Sequence, residues 1–149
     1  MTRSLEQRKS DALEKLTADG ENVWVASASS TGMVHLIPVS HTWNGSQVVV
    51  STGAKSRTVA NVNATGRVRL ALGETRDVVV IDATLVESVP AANADANLAD
   101  AYAAQAGWDP RTDGGDYVYL VFRPELIEVW REGEDVAERT VMREGAWLI

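Results

Sequence analysis

The sequence predicts a mainly β protein: a small barrel with helices packed on its outside. Three observations carry that prediction. Six or seven apolar, strand-like runs are separated by short turns. Helical signals are confined to the N-terminus, a short segment after the third run and an alanine-rich middle. The Asn44-Gly45 step lies between two apolar runs, a strong hairpin signal.

The elements follow in order. Leu5, Leu13 and Leu16 suit one face of a helix over about 4–17, with Gly20 as its left-handed stop. "VWVASAS" is the first strand, "STG" a turn and "MVHLIPVSHTW" the second strand. Pro38 within that strand predicts an edge or a bulge, because proline cannot donate to a ladder. "QVVVST" is the third strand. "KSRTVANVNA" reads as a short helix with Val59 and Val62 on one side. "GRVRLALG" alternates cleanly as the fourth strand. "DVVVIDATLVESV" is the fifth, and its unbroken apolar run predicts burial on both faces. "PAANADANLADAYAAQAG" reads as a helix closing at Gly107, and "WDPRTDGG" as a loop. "DYVYLVFRPELIEVWRE" returns to strand, with an edge or bulge at Pro124. The tail, 132–149, supplies a last strand or an arm. A chain of 149 residues without an internal repeat or linker is expected to form one domain, with its barrel core at about 23–131.

Charge narrows the function. Acids outnumber bases 21 to 14, a net charge of -7, which argues against general binding to nucleic acid or to an anionic membrane. There is no cysteine, so disulfides and thiolate metal sites are excluded. The charged N-terminus is unlike a signal peptide, and a cytoplasmic protein is expected. No run approaches the roughly 18 apolar residues that span a bilayer.

The charge is also uneven. From Val23 to Gly73 there is no Asp or Glu, yet Lys55, Arg57, Arg67 and Arg69 fall inside that window. A core sheet accounts for scarce charge. It does not account for Lys55 and Arg57, which sit in a polar turn. Ser51 and Thr52 end a strand there, and Gly53 allows the chain to turn sharply. Lys55, Ser56, Arg57 and Thr58 then open the short helix. Free amides at a helix start, hydroxyls, a lysine and an arginine together make a phosphate cradle. The alternative is a plain turn with a solvated cation pair and a serine cap. The spacing of a Walker loop is absent.

Other constellations are weak. His35 and His41 are six residues apart, about 20 Å along a regular strand, too far to share a metal. Neither a nucleophile elbow nor an acid–base pair stands out. His35, His41 and Tyr119 are the candidate proton donors, with solvent as the alternative. Trp24, Trp43, Trp130 and Trp147 lie in or near strands, and core packing is expected of them.

The stretch "STGMVHLIPVSHTWNGSQVVVSTGAKSRTVANVNATGRVRLAL", followed by "DVVVIDATLVES" and "YVYLVFRPELIEVWR", resembles the flavin split-barrel family. That family holds pyridoxamine-phosphate-oxidase-like proteins and deazaflavin (F420)-dependent reductases. The resemblance spans about 23–131. It implies a split β-barrel and a homodimer with cofactor sites at the subunit interface. It implies that Thr52, Lys55, Ser56, Arg57 and Thr58 hold the cofactor phosphate, with Ser51 beside them and Asn61 supporting the turn. It implies that Pro38, Val39 and Ser40 line the edge of the isoalloxazine or deazaflavin ring. The arginine-rich strand of the oxidases proper is missing here, which argues against pyridoxamine phosphate as the substrate. The "KSRT" turn is more like the F420 branch. The resemblance thus implies hydride transfer from reduced F420 to an electron-poor double bond of a small molecule. The alternatives are an FMN-dependent oxidoreductase, a cofactor carrier without turnover, and a haem-binding relative using His35 or His41.

Overall fold

Alternating apolar strands cannot bury one face in isolation, and here they do so by curling into a barrel. In the computed structural model, which describes residues 2–149, the strands are β1 (Asn22–Ala28), β2 (Val34–Trp43), β3 (Val48–Gly53), β4 (Arg67–Glu74), β5 (Asp77–Pro90) and β6 (Tyr117–Arg131). Their order is β3-β2-β1-β4-β5-β6, and β3 pairs again with β6, closing six antiparallel strands. Two short strands, β7 (Thr140–Arg143) and β8 (Ala146–Trp147), continue the sheet beyond β6. The interior is filled by alternate strand residues, among them Val25, Val50, Leu70, Ile81, Leu120 and Phe122, each fully buried.

Three helices lie outside. They are α1 (Leu5–Thr17), α2 (Arg57–Thr65) and α3 (Ala96–Ala106). All three begin on a side-chain cap: Ser4, Ser56 and Asp95. α2 and α3 each end on a left-handed glycine, Gly66 and Gly107. Val59 and Val62 of α2 pack into the main core, as their spacing predicts. α3 covers a second, smaller cluster of Val49, Ala91, Ala99, Tyr102, Tyr119 and Val121.

Polar side chains set the helix positions. Gln105 on α3 accepts from Trp43 N at 2.9 Å and donates to Leu16 O at 2.7 Å. His41 is fully buried, with Nε2 2.9 Å from Leu16 O and Nδ1 3.1 Å from Glu21 O. Both thus reach the Leu16 carbonyl, one of those that the helical ladder leaves open at the end of α1. At the other end of α1, Arg3 Nε donates to Asp135 at 2.7 Å and Arg3 Nη1 to Asp11 at 2.8 Å. The buried Arg8 guanidinium donates to the carbonyls of Val129, Ala137 and Glu138.

Several expectations meet a more specific outcome. Pro38 lies on an edge: β1 pairs with 34–40 of β2, β3 pairs only with 41–43, and no register shift interrupts either ladder. Pro124 sits at a bulge, where the β5–β6 register shifts between Asp82 and Ala83. β5 is buried on one face only. Its Val78 and Val80 are half-buried, because nothing covers the outer side of the sheet in the single chain. Trp24 departs from the expected core packing. It lies 49% exposed on that same outer side, with Val34 and Leu36, while the Trp43 and Trp147 side chains pack against the core.

The Asp135 carboxylate has no exposed surface and is held by Arg3, two backbone amides and a further contact to Arg8. The Arg3 hydrogen bond, and then the amides, keep it well below the usual carboxylate range against the opposing effect of burial. Its contribution to stability is therefore full above its unfolded pKa and is lost as pH falls through the lower folded value. Asp135→Ala should cost about 1.5–3 kcal/mol, since it removes the charge-assisted bonds to Arg3 and the backbone amides while Arg3 keeps Asp11. Chemical denaturation at neutral pH measures that loss, and the gap between variant and wild type should narrow toward pH 3.

Candidate functional site

The candidate site is where the barrel comes apart. Ladder pairing between β2 and β3 stops at His41↔Val50, yet both strands continue. β2 runs on along β1 through Val34–Ser40, and β3 runs on along β6 through Ser51–Gly53. A groove opens between them, with the free edge of β2 as one wall. The other wall is the end of β3 and the start of α2.

The sequence-predicted residues fall on both walls. On β2, Val39 is half-buried against the core, while Pro38 shares the outer face with exposed Leu36. Ser40 is half-buried beside them. On the opposite wall, Thr52, Gly53 and Ala54 are partly open. Gly53 has no positive φ, so the sharp-turn expectation fails there. The turn is made instead by Ser56 N donating to Gly53 O at 3.0 Å. A Cβ at Gly53 would meet nothing within 4 Å, so bare backbone faces open space. Ser56 caps α2 by accepting from Val59 N at 3.2 Å, which leaves the earlier amides of that turn free of the ladder.

The cations of this turn differ from most others in the protein. Arg69 is clamped to Asp82 at 2.6 Å, and Arg123 to Glu125 at 3.1 Å. Lys55 and Arg57 are exposed and take part in none of the ion pairs among the described residues. Thr58 is 1% exposed, and its Oγ1 has no hydrogen-bond partner, an orphaned polar atom at the first turn of α2. These features suit an anion with several acceptor oxygens: amides of α2, two free cations and a hydroxyl in want of a partner. A bound phosphate fits that donor set.

Two candidates are diverted to other work. The buried Ser51 hydroxyl donates to Val118 O at 2.9 Å across the β3–β6 ladder. Asn61 donates to the Ser27 hydroxyl at 3.2 Å and ties α2 to β1, which supports the turn from behind. The candidate proton donors separate as well. Burial pushes the His41 imidazole below its ordinary value, and both its nitrogens face carbonyls, so it is withdrawn from catalysis and from haem. Tyr119 is fully buried under α3, and burial raises its pKa. His35 remains half-buried on β2, opposite Ser27.

Sequence reasoning missed Tyr102. Its hydroxyl donates to Ser40 O at 3.1 Å, at the apex of the groove. The available signal was a lone aromatic residue in an otherwise small-residue helix. Sequence reasoning also missed the outer face bearing Trp24, Val34 and Leu36, and a cleft of about 410 Å³ that adjoins it at Val34 and is lined by Ala26, Thr65, Arg67 and Arg69. Among the described residues no helix is long and apolar enough to cross a membrane.

Comparison with known proteins agrees with this architecture. The family model described as Pyridoxamine 5'-phosphate oxidase matches residues 10–131. No curated protein matches the sequence significantly. Solved structures give the same fold at low identity. An F420 reductase is 18% identical, with a TM-score of 0.59, over 76% of this chain and 94% of its own. HupZ of Group A Streptococcus is 14% identical, with a TM-score of 0.60, over 91% of this chain and 100% of its own. A conserved protein of Mycobacterium tuberculosis is 15% identical, with a TM-score of 0.62, over 88% of this chain and 89% of its own.

The cap and the cations are separable by mutation. Ser56→Ala should cost about 1 kcal/mol of stability through the lost cap. Arg57→Ala, which breaks no contact, should change stability by less than about 0.5 kcal/mol. Urea denaturation of both variants checks the contrast.

Proposed function

Taking as premise that the chain belongs to the pyridoxamine 5'-phosphate oxidase family, we propose that it is an F420-dependent reductase acting on an electron-poor double bond of a small molecule. The observation that carries this reading is the pair of unpaired cations, Lys55 and Arg57, at the capped start of α2 beside an orphaned Thr58 hydroxyl. A cofactor phosphate would be held there by Thr52, Lys55, Ser56, Arg57, Thr58 and the backbone around Gly53. Asn61 fixes the helix that presents them, and Ser51 braces β3 against β6. Pro38, Val39 and Ser40 on the facing wall would lie along the edge of the tricyclic ring.

When bound, such a cofactor supplies the hydride, and the protein supplies binding, orientation and shelter from water. That division of labour suits a site in which His41 and Tyr119 are buried away from solvent. Of the three candidate donors His35 is the one left, half-buried on β2, and solvent is the other proton source. FMN in the same groove is the alternative reading. The "KSRT" turn supports the deazaflavin, and an F420 reductase shares the fold.

The reading takes residues 1–149 as one domain and two chains as the working unit. Trp24, Val34 and Leu36 form an exposed apolar face on β1 and β2, and Trp24 sits opposite Ala71 of β4. The unbroken apolar run of β5 continues that face through Val78 and Val80. A second copy laid over it would bury both sides of the sheet and close the outer side of the groove. Leu36→Glu should then yield monomers in sedimentation while wild type sediments as a dimer. Wild type sedimenting as a monomer would contradict this.

Arg57→Ala should weaken F420 binding at least about tenfold, the loss of a charge-assisted contact worth about 1.5–3 kcal/mol. Tryptophan-fluorescence titration with F420 and with FMN reads this, and high salt should weaken wild-type binding more than that of the variant. Tighter binding of FMN would replace the deazaflavin. Unaltered affinity in the variant would leave the turn as a plain solvated one.

A further inference from the structure

We propose that Tyr102 is a positioning residue: its hydroxyl stands in for the next rung of the β2–β3 ladder and holds the two strands apart, opening the groove. The proposal rests on the preceding reading of that groove as a cofactor site.

The missing rung can be located from the ladders on each side. Asn44 N donates to Gln47 O at 3.1 Å, so 44 and 47 form a hydrogen-bonded pair. Antiparallel pairs alternate between bonded and non-bonded. Thr42↔Val49 is therefore the next bonded rung, and Ser40 with Ser51 the one after it. The β3–β6 ladder gives the same answer independently. Ala54 N donates to Asp116 O at 2.9 Å, which places the rungs to β6 at even-numbered β3 residues. The Ser51 amide and carbonyl thus point away from β6, toward β2. Both strands persist at this position, each paired on its far side, and yet no Ser40–Ser51 pairing forms.

The Tyr102 hydroxyl occupies that place. It donates to Ser40 O at 3.1 Å and lies beside the Ser51 backbone of the other strand, where it can accept from that amide. One oxygen thus serves the Ser40 carbonyl and can accept from the Ser51 amide, the two groups that one of the rung's bonds would otherwise join. The ring itself is fully buried. It makes edge-on contacts with Trp108 and Tyr119, at centroid distances of 6.2 and 5.3 Å. α3 therefore delivers the hydroxyl from a fixed position. Ser40 and Thr52 flank this point, so the width of the groove between the ring edge and the phosphate turn follows from where Tyr102 stands.

Tyr102→Phe keeps the aromatic packing and removes only the oxygen. The Ser51 amide should then change its hydrogen-exchange rate at least tenfold, whether it regains Ser40 or is left without a partner, while Val49 keeps its rate. F420 affinity should fall at least tenfold, and by the same factor at low and high salt, in contrast to Arg57→Ala. An unchanged Ser51 exchange rate overturns the proposal, and so does an altered rate with full cofactor affinity. Wild-type protein that binds neither F420 nor FMN overturns the functional reading instead. The exchange comparison then decides the spacing role by itself.

Discussion

β3 is shared between two neighbours, and it keeps only one of them along its whole length. Its pairing to β6 closes the barrel and runs from Val48 to Gly53. Its pairing to β2 lasts only from Val48 to Val50. Every feature of the candidate site follows from that inequality. The far half of β2 becomes a free edge, which is why a proline is tolerated at position 38. The far half of β3 ends beside open space, which is why Gly53 carries bare backbone there. α2 begins at once, so its unladdered amides arrive at the mouth of the groove.

The electrostatics follow the same geometry. Most other cations of this acidic protein are spent on acids, as in the Arg3–Asp135 and Arg69–Asp82 pairs. The acid-free window from Val23 to Gly73 covers both walls of the groove, and Lys55 and Arg57 form no ion pair among the described residues. Two like charges so close in sequence repel one another, weakly in water. Their value lies in a ligand that brings its own negative charge together with acceptor oxygens for the α2 amides.

Much of this was legible in the sequence for physical reasons. Strand and helix identities followed from period and from turn residues, and "NGS" and Gly107 marked their boundaries at Asn44 and at the end of α3. The cationic turn at the start of α2 stood out because its residue types are costly to explain as a simple loop. Orientation was not legible. Ser51 faces a carbonyl of β6, and Asn61 faces Ser27, because register decides which side of a strand or helix a hydroxyl or amide serves. The role of His41 depends on α1 ending against β2, a contact across 25 residues of sequence. The apolar run of β5 promised burial on both faces, and the single chain provides one. The outer face with Trp24 and Leu36 is thus where sequence pattern and monomer disagree, and the proposed second copy would reconcile them.

The account stands on one seat for one anion: the start of α2 holds the phosphate of a flat redox cofactor whose ring lies along β2. A crystal structure of the protein with F420 tests this most directly. The account predicts phosphate oxygens within hydrogen-bonding distance of Arg57 and of the first α2 amides, with the deazaflavin edge against Pro38–Ser40. A cofactor lodged away from the groove, with Lys55 and Arg57 still extended into solvent, would contradict it.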